Sequence, residues 1–439
     1  MFDALFTTTT EYKKLSHALS GKGACALFGL PASGRAQVYA ALCRQLDKPL
    51  CIVTPGEAEA TRFAADLNTL GIPAAVFPAR DYVLRPIEGT AREYEYRRLA
   101  VLGELVGGRL RAVAVPAEAL TQFTTPKEDF CANTRTLHAG DTLLRDDLLA
   151  ALFGAGYTRR AQVDGPGQFS VRGDIVDIFA PDQKMPVRME FWGDEIDTLH
   201  TFDLTTQRRE DAIDKFYLSP AREVLFGKPA DAAEQLRAFL AKQRGKKKTA
   251  MTDCMAADLD LLDGGAVPVN MDKYLAVRYP HPATVLDYFD DPILVAEEPA
   301  SIREADRATA YRRGEELKSL ILDGVLCAGL DNLYADPSYL WSKTGHYRTI
   351  CAENFARSMP DQPLKDIINA PAHTLPAWNG EVAGLLEDLK PLCDAGYTVT
   401  LLAGTDRAAA GLARDLRDKG ILVTTDAAAT PAAGLVQVL

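Results

Sequence analysis

Short apolar runs separated by amphipathic stretches mark the opening segment of the chain. Ala24–Leu30 (ACALFGL) is apolar throughout, the signature of a strand covered on both faces. A turn over Pro31–Gly34 and a helix from about Arg35 to Leu46 follow. Leu50–Thr54 (LCIVT) predicts the next strand and Glu57–Leu70 the next helix. Ala74–Phe77 and Ala112–Val115 are further apolar runs, and a helix over about Glu93–Leu105 lies between them with charge on one face. Strands alternating with helices in this way predict a parallel sheet.

The pattern changes near Pro126. A short helix over Asp146–Phe153 precedes Gly156, and strand-like stretches follow at Gln168–Arg172, Asp174–Phe179 and Val187–Phe191. Gly, Pro and Asp punctuate them, which predicts a small α+β module. Helix returns after about Ala221, with Asp231–Lys242 amphipathic and Asp231 as its expected N-cap. Thr284–Phe289 leads into Pro292–Ala296 (PILVA), another buried-strand run, and a charged helix over about Ser301–Leu320. The last part reads as helix Glu381–Leu389, strand Tyr397–Leu402, helix Arg407–Lys419 and strand Ile421–Thr424, a βαβ-like unit. The expected division is an α/β domain over 1–125 and 216–345, an inserted α+β module over 126–215, and a small α/β domain over 346–439. The chain stops inside an apolar run at Leu439, as a piece of something longer would.

Composition narrows the function classes. A chain of 439 residues, 47% hydrophobic and 25% charged, is ordinary for soluble globular protein. No apolar run reaches about 18 residues, so no membrane span and no membrane partner are expected. The start has no basic region and no long apolar stretch, so the expected location is cytoplasmic. A net charge of -11 argues against a surface that grips nucleic acid over its whole extent, while leaving room for a local basic groove. The eight cysteines are scattered without CxxC spacing and predict reduced thiols rather than staples. The six histidines stand far apart, and no metal site is expected. Asp174, Asp177, Asp194, Glu195 and Asp197 match no oxygen-ligand loop and are expected to be exposed strand and turn residues. Lys246–Lys248 reads as a solvated charge run in a loop or helix end, with a phosphate-backbone contact as the competing reading.

The first apolar strand runs into Gly29-Leu30-Pro31-Ala32-Ser33-Gly34-Arg35-Ala36, which has the glycine spacing of the phosphate loop G-x-x-x-x-G-K-[ST]. Glycines there let backbone N–H groups curl around phosphate oxygens at a helix N-terminus. Arg35 stands where the lysine belongs, and Ala36 where a hydroxyl would hold Mg²⁺. A degenerate phosphate loop and a plain strand–helix turn both fit these residues. Glu297 and Glu298, after the strand PILVA, resemble a helicase-type acidic motif in which Glu297 replaces the metal-ordering Asp. No catalytic residues and no cofactor are expected from this pair of degenerate motifs.

The central segment is more specific. FSVRGDIVDIF over 169–179 and RMEFWGDEID over 188–197 resemble the UvrB-homology module, as found in the N-terminal part of the Mfd family of bacterial transcription-repair coupling factors. Gly156–Arg160, Pro220–Glu223 and the Thr284–Phe289 stretch fit the same pattern, so the resemblance covers about residues 20–345. The lost loop lysine and the short connection Tyr82–Thr90, in place of UvrB's long Tyr-rich hairpin, favour the coupling factors over UvrB. The resemblance implies a degenerate RecA/helicase-like parallel-sheet domain, an inserted α+β module and a small C-terminal α/β domain. It further implies a non-catalytic platform that docks the damage-recognition ATPase UvrA, on a surface that another domain masks in the intact protein. In the full-length protein it implies an ATP-dependent translocase motor and binding of RNA polymerase and double-stranded DNA. No candidate for these parts is present in this chain, which is expected to be monomeric.

The residues implied to meet UvrA are Arg172, with Arg159 or Arg160 as a second arginine, and Glu190 as an acidic partner on the neighbouring strand. Alternation places Ser170 and Arg172 on one face of their strand, and Ser170 departs from the arginine usual in UvrB. Phe191 and Trp192 fall on opposite faces, so at most one is core; Phe191 is included in the binding set. A cross-strand Arg172–Glu190 pair within the chain is the competing reading. Two other functions stay open: an NTP-binding or DNA-remodelling ATPase in which Arg35 pairs with phosphate, and a DNA clamp like UvrB. The absent hydroxyl at Ala36 argues against the first; the missing hairpin and the net charge of -11 argue against the second.

Overall fold

The computed structural model describes residues 6–87, 92–355, 357, 362–372, 382–426, 429 and 432–439. β1 (Gly23–Phe28), β2 (Leu50–Thr54), β3 (Ala74–Val76) and β4 (Ala112–Pro116) alternate with helices Ala32–Leu46, Glu57–Thr69 and Glu93–Val106. The strands are apolar at consecutive positions because both faces are covered. Cys25, Leu27, Ile52 and Phe63 pack on one side, and Ala24, Val53, Val113 and Leu102 on the other.

The chain then leaves this sheet for the central module. Its strands are β5 (Arg135–His138), β6 (Thr158–Arg159), β7 (Gln168–Arg172), β8 (Ile175–Phe179), β9 (Val187–Trp192), β10 (Glu195–Phe202), β11 (Arg209–Ala212) and β12 (Lys215–Leu218). β6 to β11 form a six-stranded sheet in the order β11-β10-β9-β8-β7-β6. β5 and β12 pair antiparallel and bring the two ends of the module together. One sheet face packs on helix Arg145–Gly154, where Leu148 and Leu152 meet Phe169, Val176, Met189 and Phe191. Gly173 and Gly193 turn the two hairpins with φ of 60° and 65°, a conformation that other L residues resist.

Returning, the chain adds β13 (Ile293–Glu297), β14 (Arg348–Glu353) and β15 (Leu364–Asn369) to the first sheet. The order is β15-β1-β14-β13-β2-β4-β3, and every pairing is parallel. The sheet therefore draws two strands from beyond residue 345, where the sequence reading begins the small domain. Their patterns hide them: β14 opens on Arg348-Thr349, and β15 is an edge strand with most side chains half or fully exposed. A separate three-stranded parallel sheet, β16 (Val399–Leu401), β17 (Val423–Thr424) and β18 (Val436–Val438), packs with helices Val382–Asp394 and Asp406–Asp418. Of the helix expected over Glu381–Leu389, Glu381 lies outside the described residues.

Helices Pro229–Ala241 and Gly245–Asp263 build a further apolar layer with Met251, Met255, Leu275 and Leu330. The N-cap expectation is corrected here. Pro229 opens the first of these helices, Lys228 caps it, and Asp231 sits one turn inside, accepting from the Lys228 N–H at 3.3 Å. Lys246–Lys248 occupies the exposed first turn of the second helix. In the connection expected over Tyr82–Thr90, Tyr82, Val83 and Leu84 are buried, and residues 88–90 lie outside the described residues. Among the described residues no helix is long and apolar enough to cross a membrane, and no group of three or more His, Cys, Asp or Glu could hold a metal ion.

Candidate functional site

The loop Gly29–Ala36 and the acids Glu297 and Glu298 meet at the carboxyl edge of the large sheet. β1 and β13 flank β14, so the sheet order itself brings the two motifs to one crevice. Gly29 has φ of 93°, and a Cβ there would lie 2.8 Å from the Ala370 carbonyl oxygen. The chain leaving β15 thus crosses over the loop, with Ala372 N–H donating to Gly29 O at 3.2 Å. Ser33 is exposed and Gly34 half-buried, while the Ala36 methyl is fully buried in the core.

Arg35 turns inward from this loop. Its Nη2 lies 2.8 Å from Glu297 Oε2 and 3.1 Å from Glu298 Oε1. Its Nη1 donates to Leu30 O and to Asn354 Oδ1, both at 3.2 Å. Tyr39, one turn further along the helix, donates its hydroxyl to Glu297 Oε1 at 2.5 Å. Burial pushes the Glu297 carboxyl up to about 7, against the Arg35 guanidinium and the Tyr39 hydroxyl, which favour the carboxylate. Glu298 adopts φ of 53° at the start of helix Pro299–Leu322 and also accepts from Asn354 N–H at 3.1 Å. An incoming phosphate would have to displace two carboxylates from the only cation of the loop motif.

On the face of the module's sheet away from helix Arg145–Gly154, Asp177 is fully buried and holds two arginines. Arg188 Nε and Nη2 donate to its two oxygens at 2.7 and 2.9 Å, a bidentate pair. Arg172 Nη2 donates to Oδ2 at 2.6 Å while its side chain stays 47% exposed. The expectation that Asp177 is an exposed strand residue is corrected: it is the buried anchor of the face. Ser170 stands opposite Asp177 in the register and is buried as well, so only Arg172 of the Ser170–Arg172 pair reaches solvent. Glu190 pairs with Arg209 on β11 and accepts from Thr198 Oγ1 at 3.3 Å, so the cross-strand partner of Arg172 is Asp177 instead.

Phe191 belongs to the module's core at 6% exposure, which removes it from the surface set; Trp192, one residue on, is 82% exposed. Strict alternation in β9 decides which of the two is outside. Arg159 and Arg160 are exposed at the short edge strand β6 and make no ion pair among the described residues. The exposed set is therefore Arg159, Arg160, Arg172 and Trp192. Alternation could have found Trp192, whereas nothing local marked Asp177 as buried.

The returning chain is fastened by buried charge. Arg98, fully buried, donates from Nε and Nη2 to the two Glu223 oxygens at 2.6 and 3.2 Å. Arg80 donates to Asp272 at 2.7 and 3.1 Å, and Glu223 N–H donates to Glu95 Oε1 at 3.0 Å. Burial opposes ionisation of Glu95, but Arg80, Arg222 and Arg92 outweigh it and hold its pKa down at about 2.

A parallel-sheet domain interrupted by a mostly antiparallel module that presents arginines and an aromatic is consistent with a UvrB-like α/β architecture. Residues 136–224 match the model of the UvrB interaction domain. Over 406 residues, 90% of this chain and 34% of the relative, the sequence is 25% identical to the transcription-repair-coupling factor of Bacillus subtilis. It is 34% identical to that of Mycobacterium bovis over 65% of this chain and 24% of the relative. It is 35% identical to that of Myxococcus xanthus over 45% of this chain and 17% of the relative. By these matches residues 136–224 resemble the UvrB interaction domain, and the chain is similar over most of its length to a transcription-repair-coupling factor. It spans about a third or less of the length of those relatives.

Proposed function

We propose that this chain is a non-catalytic docking platform that recruits UvrA, within a protein whose motor brings it to RNA polymerase stalled on damaged double-stranded DNA. The observation that carries the proposal is the exposed Arg172, held by buried Asp177, in the same sheet as exposed Trp192 and inside the segment that matches the UvrB interaction domain. Asp177 is already satisfied by Arg188, so Arg172 keeps donors for a carboxylate on a partner. Trp192 supplies the large aromatic contact typical of binding hot spots. The closed Arg35–Glu297–Glu298 cluster supports the absence of nucleotide chemistry.

The test is a titration of the chain with purified UvrA beside Arg172→Ala. Micromolar or tighter binding that weakens about tenfold in the variant, about 1.4 kcal/mol, is the expected result. Equal binding by both proteins would move the docking face off this sheet.

A further inference from the structure

A second polar crevice opens at the start of helix Pro299–Leu322. It is a cavity of about 410 Å³ at the carboxyl end of β14, and no residue of the loop Gly29–Ala36 lines it. Ala300, Arg303, Glu304 and Arg307 stand three and four positions apart, so one face of the helix's first turns forms one wall. Glu353, the last residue of β14, and Arg357 complete the lining. Arg303 lies against the Trp341 ring, 4.3 Å from its centroid. Arg307 and Arg357 are exposed and make no ion pair among the described residues.

Two features of this cavity select an oxyanion that carries a proton. Three guanidinium groups and the positive end of a 24-residue helix converge on one space. Against them stands Glu353, which is 2% exposed and whose Oε2 is buried without a hydrogen-bond partner among the described residues. Burial, with the Glu298 carboxylate adding to it, pushes the Glu353 carboxyl above its ordinary value, against the Ala300 N–H, Arg357 and Arg303. A buried carboxylate oxygen beside arginines repels a bare anion and accepts a hydrogen bond from one that keeps a hydroxyl. Phosphate in its protonated form offers both, oxygens for the arginines and a P–OH for Glu353, whereas sulfate has no proton to give. No aromatic side chain lines the cavity to take a nucleobase.

We propose that this cavity binds protonated phosphate, free or as a phosphomonoester, with Glu353 Oε2 accepting from the P–OH and with Arg303, Arg307 and Arg357 holding the remaining oxygens. The charge balance agrees. The three arginines exceed Glu304 and Glu353 by one charge, which a phosphate monoanion neutralises and a sulfate dianion overshoots. Affinity therefore comes from the arginines and the helix start, and discrimination between oxyanions comes from Glu353.

The experiment is a calorimetric titration of the whole chain with sodium phosphate, sodium sulfate and glycerol 3-phosphate at constant ionic strength. It is run at about pH 6, where a phosphate ester still keeps part of its second proton. Phosphate is expected to saturate at millimolar concentration or below, and sulfate to bind at least about tenfold more weakly. Arg307→Ala, at an exposed position, is expected to weaken phosphate about tenfold without a change in melting temperature. Glu353→Gln, whose amide can donate to a bare oxygen, is expected to bring sulfate level with phosphate. Displacement of phosphate by glycerol 3-phosphate would identify the ligand as a monoester, and failure to displace it would identify free phosphate; either result supports the site. Equal binding of phosphate and sulfate by the wild-type chain, or no phosphate binding at all, would overturn the proposal. So would an Arg307→Ala chain that binds phosphate as tightly as the wild type.

Discussion

Nη2 of Arg35 lies 2.8 Å from Oε2 of Glu297, and both side chains are 2% exposed. This single contact joins two motifs 262 positions apart in the sequence. It turns the one cation of the phosphate-loop motif into a structural counter-ion. Removing one member of a buried pair leaves an uncompensated charge, which typically costs about 3–5 kcal/mol. Arg35→Ala is therefore expected to lower the unfolding free energy, read from a urea titration, by about that amount. Neither the wild-type chain nor Arg35→Ala is expected to bind ATP at millimolar concentration. A fluorescent-nucleotide titration that saturates at micromolar concentration would restore the nucleotide-binding reading.

Glu297 makes stability depend on pH. Burial pushes its carboxyl up to about 7 in the folded chain from an ordinary 4.5, so between those values the folded state holds a proton that the unfolded state has released. Stability contributed by this group is full below about 4.5 and falls as pH rises to about 7, by up to about 3 kcal/mol. Glu95 has the opposite sign. Its folded pKa of about 2 gives a contribution that is present above 4.5 and lost as pH falls towards 2. Glu297→Gln is expected to flatten the decline between pH 5 and 7 and to leave the acid-side loss intact. Urea midpoints at pH 3, 5, 6 and 7 check both limbs, and an unchanged slope in the variant would assign the decline to other groups.

Neighbouring residues on β9 separate binding from folding. Trp192→Ala is expected to weaken UvrA binding about tenfold or more with little change in melting temperature, since its ring is 82% exposed. Phe191→Ala is expected to destabilise by about 3–5 kcal/mol, because it empties part of the module's core. Arg172→Ala should resemble Trp192→Ala, with a stability cost within about 1 kcal/mol for a half-exposed charge. Loss of binding in Phe191→Ala with an unchanged melt would place that ring in the interface.

The junction between the module and the large sheet rests on Arg98 and Glu223. Arg98→Ala and Glu223→Ala are each expected to cost about 3–5 kcal/mol. Their double mutant should cost clearly less than the sum, because each single change strands the other charge. Chemical denaturation of the four proteins measures the coupling. Additive costs would mean that the two side chains act independently.

Much of the local architecture was legible from the chain alone. Continuous apolar runs such as LCIVT identify β2 to the residue, because a strand covered on both faces is apolar at most consecutive positions. FSVRGDIVDIF and RMEFWGDEID mark the hairpins of the module, and alternation in the second puts Phe191 and Trp192 on opposite faces. β14 and β15 escaped because polar residues at a strand's start and at a sheet's edge erase the period, and their membership is decided by partners far along the chain. Asp177 escaped for a related reason: a carboxylate is stable in the interior only where arginines converge on it, and Arg172 and Arg188 converge only once three strands have paired.

The sequence by itself determined the first strands and helices of the large sheet and the central hairpins, that the loop motif has Arg35 and Ala36 where a lysine and a hydroxyl belong, and that the central module is UvrB-like. Tertiary structure alone decided that Arg35 closes on Glu297 and that Ser170 and Asp177 are buried while Arg172 reaches solvent. Periodicity is a property of neighbouring residues, whereas burial and charge pairing depend on side chains brought together from distant parts of the chain.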